Sequence, residues 1–155
     1  MHLKKLIQII LLCIMVTGCL CVTASAKEVP IGQILRIEDM KCEQIDVSSL
    51  DVWEEDNGLC RSNSIRTSVA AYSHVVSNEK FFLAERGIIT INCSYSPSSA
   101  SMDFGVIAPD GYFYFLNVGG GSINRSIRVS QSGDYLLAIR NNSSQVVSVV
   151  GFVDY

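Results

Sequence analysis

A chain of 155 residues with 12 Lys plus Arg against 15 Asp plus Glu, a formal net charge of −3, has no basic surplus with which to grip a polyphosphate, so nucleic acid is excluded as a partner. Its length suffices for one domain with a real core and is cramped for two. After the N-terminal segment no apolar stretch approaches the roughly 20 residues needed to cross a bilayer, and the mature chain is expected to carry no transmembrane segment.

Residues 1–26 read as a secretory signal peptide. Lys4 and Lys5 precede an apolar run from Leu6 to Val16, and Ala24-Ser25-Ala26 has the small-x-small form that signal peptidase accepts. Cleavage there leaves 129 residues, with 10 Lys plus Arg against 15 Asp plus Glu. Val16-Thr17-Gly18-Cys19 offers a competing fate, because it has the form at which bacterial lipoproteins are cut and acylated on cysteine. Lipidation at Cys19 would tether the protein to the cell surface; cleavage after Ala26 would release it to the exterior. Leu20-Cys21-Val22 is apolar where a flexible tether belongs, which favours the secreted product.

Residues 27–60 form an irregular acidic leader. Glu28, Glu38, Asp39, Glu43, Asp46, Asp51, Glu54, Glu55 and Asp56 outweigh Lys27, Arg36 and Lys41, and no period is sustained beyond one short element at Ile31 to Ile37. The leader reads equally as a solvated linker or as a segment packed on the domain. Three cysteines remain after the signal, and Cys42 with Cys60 is the pair suited to a disulfide, since both flank a polar, turn-rich segment. Cys93 shares a strand face with Ile89 and Ile91 and reads as a small buried hydrophobe.

From residue 61 to 155 short apolar runs alternate with turn residues, which predicts an all-β antiparallel sandwich of about seven or eight strands. The first element is ambiguous, because Ile65, Val69, Tyr72 and Val76 also fit one helical face. Gly87 to Tyr95 alternates as a half-buried strand should. Met102 to Ile107 and Tyr112 to Val118 form a predicted hairpin across Ala108-Pro109-Asp110-Gly111, where proline pre-sets φ and glycine supplies a positive φ. Gly119-Gly120-Gly121, Ser132-Gly133-Asp134 and Asn141-Asn142-Ser143-Ser144 separate the strands that follow.

Phe81, Leu83 and Gly87, then Met102-Asp103-Phe104-Gly105-Val106-Ile107-Ala108-Pro109-Asp110-Gly111, then Ser132-Gly133-Asp134-Tyr135-Leu136-Leu137-Ala138-Ile139 resemble the bacterial pre-peptidase C-terminal domains and similar jelly-roll-like sandwiches. The chain is also similar to small exported proteins of Gram-positive bacteria. The resemblance implies an accessory module without catalysis. That family often places paired acids around the strand matched by Met102 to Ile107; this sequence has only Asp103 there, so no calcium site is carried over.

Residue arithmetic narrows the chemistry. His74 is the one histidine of the mature chain, which excludes zinc sites needing two imidazoles, and no serine lies in a nucleophile elbow. Gly119-Gly120-Gly121 is not followed by a phosphate-cradling Lys and hydroxyl. Asp103, Asp110 and Asp134 are the carboxylates a small hydrolase would use in pairs, although aspartate at turns serves backbone amides first. Tyr112-Phe113-Tyr114-Phe115 cannot all enter one core, because strand neighbours face opposite sides. Either Tyr112 and Tyr114 with Asn117 make a stacking platform for sugar or peptide, or the leader folds back with Val52 and Trp53 and covers the exposed face. The expectation is therefore an exported, non-enzymatic binding or envelope-associated module, needing no metal or cofactor, with a polysaccharide or surface protein as partner. A small secreted hydrolase or a secreted toxin or inhibitor is the alternative.

Overall fold

The computed structural model describes residues 33–53 and 64–155. The signal peptide, Cys19 and Cys60 lie outside the described residues. Among the described residues twelve strands build two mixed sheets packed face to face, so the chain is an all-β sandwich. The five-stranded sheet runs β1 (Ile34–Arg36), β10 (Ser122–Arg128), β7 (Ile88–Ser96), β12 (Val147–Asp154), β4 (Ser64–Val69). The seven-stranded sheet runs β2 (Lys41–Gln44), β9 (Tyr112–Val118), β8 (Met102–Ile107), β11 (Gly133–Asn141), β5 (His74–Ser77), β3 (Asp51–Trp53), with β6 (Phe81–Leu83) on the far end of β11.

The period-2 pattern decides what is buried. Ile89, Ile91, Cys93 and Tyr95 of β7 point inward and meet Met102, Phe104 and Val106 of β8 and Tyr135, Leu137 and Ile139 of β11. The stretch at 65–76 is extended, in β4 and β5, because Ile65 and Val69 alternate into this core and Tyr72 sits at a turn instead of on a helical face. The hairpin turn forms as expected: Gly111 has φ +83 and its N–H donates to the Ala108 carbonyl at 2.9 Å.

The leader is the main departure from the expected architecture. Residues 34–53 carry three of the twelve strands, and β1 pairs with β10, and β3 with β5, in parallel, so the sandwich is not purely antiparallel. The chain passes from the edge of one sheet to the edge of the other through a 3-10 turn at Ile37–Asp39, where Ile37 and Met40 plug the core. After β2 it crosses the outer face of the larger sheet to reach β3 at the opposite edge. Ile45, Val47 and Leu50 of this strap pack on Val76, Ile107, Phe113, Phe115 and Ala138. The leader thus covers the Phe113 side of β9, through those three residues; Val52 is 53% exposed.

Candidate functional site

Strand alternation separates the three residues expected to share a ligand platform. Tyr112 and Tyr114 lie on the inward side of β9, and Asn117 on the strap side with Phe113 and Phe115. Tyr114 packs against the main core, and its hydroxyl donates to Asp110 at 2.8 Å. That bond, helped by burial, pushes the phenol pKa up to about 12. Tyr112 alone of the two is exposed, at 38%, so no two-tyrosine platform is built.

Asp110 is a turn residue: its other oxygen accepts the Tyr112 backbone N–H at 3.0 Å. Asp103 stands at the opposite end of β8, more than about 13 Å away along the strand, beyond the 5–10 Å across which two carboxylates cleave a glycosidic bond. Asp134 is exposed at the start of β11. By register Asp134 lies across from the Pro109–Asp110 turn, but Asp103 stands at the far end of β8 and each oxygen of Asp110 already accepts a hydrogen bond from Tyr112 or Tyr114, so the three aspartates do not converge on one reacting atom. Burial also pushes the Cys93 thiol up to about 12, which removes it as a nucleophile at neutral pH. Cys42 is exposed on β2, and its expected partner Cys60 lies outside the described residues.

The register assembles a polar rung that the sequence did not reveal. Asn117 on β9, Asp103 on β8, Arg140 on β11 and His74 on β5 pair consecutively across four strands, on the face crossed by the strap. Asp103 is 1% exposed, and three donors occupy its oxygens: Asn117 Nδ2 at 2.6 Å, Arg140 Nε at 2.7 Å and Asn142 Nδ2 at 2.8 Å. The Arg140 guanidinium lies 4.5 Å from the Phe115 ring centroid and 5.6 Å from that of Phe113, and it pairs with Glu43 on β2. One cation thereby joins the buried carboxylate, the aromatic pair and the leader. Three of the roughly four lone-pair sites of this buried carboxylate are thus taken by donors from the protein itself.

Above the rung, two chain crossings between the sheets meet at one end of the sandwich. Buried Asn141 holds them together: its Nδ2 donates to the carbonyls of Val69, Ala70 and Gln145, and its Oδ1 accepts from the backbone N–H and hydroxyl of Ser143. Tyr72 sits at the tip of the first crossing with φ +54, and its N–H donates to the Ser143 carbonyl at 3.1 Å. Its side chain is in solvent, 70% exposed. A bulky residue in the left-handed region costs on the order of 1 kcal/mol or more, and such strain concentrates at functional sites. Exposed Asn142 follows Asn141 in the second crossing, and exposed Asn117 lies three strands away at the other end of the rung.

Fold and site together define an all-β sandwich carrying an Asn-laced loop end. No protein-family model matches the chain, and no curated protein matches it. Among solved structures it is similar to PliG of Aeromonas hydrophila, a periplasmic lysozyme inhibitor of g-type lysozyme, at 17% identity with a TM-score of 0.38, over 68% of this chain and 96% of that one. A likeness of that size transfers no activity, and the function is argued from this chain's own residues.

Proposed function

We propose that the protein is an exported, non-enzymatic binding module that holds a protein partner at the loop end centred on Tyr72. The carrying observation is Tyr72 itself: an aromatic ring presented to water on a backbone that disfavours it, over loops fixed by Asn141. Folding gains nothing from that ring, whereas exposed tyrosines on rigid loops anchor interfaces with little loss of side-chain entropy. The buried, donor-bound Asp103 and its distance from Asp110 support binding over hydrolysis. No described helix is long and apolar enough to cross a membrane.

The test uses the mature protein as bait for envelope and exported proteins of the producing cell, alongside Tyr72→Gly. Glycine relaxes the left-handed backbone, so the variant keeps its thermal midpoint. A protein retained by the wild type and lost from the variant supports the reading. Equal retention by both, or none by either, removes it.

A further inference from the structure

The outer face of the five-stranded sheet is covered by no described residue, and its chemistry differs from the rest of the molecule. Register places cross-strand rungs on it, with Ser96, Ser148 and Ser68 at the rim and four more following. Ser122, Ser94, Val150 and Arg66 form the first; Asn124, Asn92, Phe152 and Ser64 the second; Ser126, Thr90 and Asp154 the third. Arg36, Arg128 and Ile88 form the last. The inward parity of the same strands carries Ile65, Val69, Ile89, Ile91, Val149 and Val153, together with Arg125 opposite Ile91.

Three guanidiniums stand against one carboxylate on this face, although the whole chain is acidic. Arg66 and Arg128 make no ion pair with any described residue, while Arg36 touches Glu38 across an exposed 3.3 Å contact. Arg36 and Arg128 occupy paired positions on adjacent strands, about 4.8 Å apart, where like charges oppose folding. Arg66 lies three strands and three rungs away, roughly 25 Å along the diagonal. Between the two basic corners run hydroxyls and amides, with Phe152, 43% exposed, near the middle.

We propose that this face docks an extended polyanionic glycan. The diagonal is too long for a small anion and suits a polymer whose acidic groups meet both corners. Ser, Thr and Asn side chains bind its hydroxyls, and Phe152 stacks on a ring between them. Charge selects the ligand: repeating carboxylates or phosphates complement Arg66 and Arg128, which form no ion pair among the described residues, and a neutral glucan cannot do so. The site is separate from the loop end, so the two proposals stand or fall independently.

Binding of the mature protein to polygalacturonate, phosphorylated dextran and neutral dextran tests it, with each affinity measured across a salt series. The wild type is expected to bind at least one of the two polyanions and not dextran, and the arm that binds identifies a carboxylated or phosphorylated source. Arg66→Gln with Arg128→Gln, both surface changes, weakens binding about tenfold and lowers the slope of log K against log salt by about 1.4. Phe152→Ser weakens binding without changing that slope, while Tyr72→Gly leaves it intact. Three results would overturn the proposal: no polyanion binding, equal binding of dextran, or unchanged affinity in the double arginine variant. A wild-type dimer that becomes monomeric in that variant would assign the face to a second copy and overturn it as well.

Discussion

His74 has a buried Nε2 with no hydrogen-bond partner among the described residues, and it sits beside Arg140 in the rung. Burial holds its pKa below the ordinary 6.5, Arg140 lowers it further, and Glu43 and Asp103 pull partly the other way. Well above pH 7 the imidazole is neutral both folded and unfolded, so it adds no pH dependence there. As pH falls through 6.5 the unfolded chain takes up a proton that the folded chain resists, and stability is lost. Urea denaturation at a series of pH values is expected to show the wild type weakening between about pH 7 and pH 5.5 more steeply than His74→Gln. Parallel curves would show that the imidazole is not the source. Neither its neighbour nor its loss of solvent was legible from His74 alone, because both come from register with a strand some 60 residues further on.

Elements explain why some of the fold could be read and some could not. β7 alternates across nine residues and declares itself. β8 is buried at all six positions, because the main core lies on one side of it and the strap's rungs on the other, so its pattern gave no hint of what covered the second face. β1, β2 and β3 have three or four residues each, too short for a period to emerge from an acidic background. What fastens the strap is therefore a matter of individual bonds, and its two ion pairs differ in kind. Asp103 has 2% of its side chain exposed and Glu43 42%, with Arg140 between them. Arg140→Ala leaves a buried carboxylate without its cation and is expected to cost roughly 3–5 kcal/mol. Glu43→Gln breaks a solvent-screened pair and is expected to cost less than about 1 kcal/mol. Chemical denaturation of both variants checks the ranking, and equal losses would mean that Asp103 is not the residue Arg140 serves.

For the whole molecule, the boundary expected near residue 60 falls where the charge pattern changes, yet the fold runs through it. The strands on both sides of that point share sheets: β1 continues β10, β2 continues β9 and β3 continues β5. Among the described residues, Glu43, Asp46 and Asp51 lie along the edges and strap of the larger sheet, whereas Arg66 and Arg128 lie on the outer face of the smaller one. A chain beginning at residue 64 keeps the hairpins and the central strands but loses Ile37 and Met40 from the core and Ile45, Val47 and Leu50 from the outer face. Phe113, Phe115, Ile107 and Val76 then form a contiguous apolar patch, and β9 gains an unpaired edge, the two features that drive association of sheet proteins. Arg140 remains to pair with Asp103, so this shortened chain retains its β-sheet circular dichroism while binding a hydrophobic dye and aggregating, where the mature protein does neither. A shortened chain that stayed monomeric and dye-silent would make residues 27–60 a true linker. The strap and its edge strands would then contribute nothing to the sandwich they cover.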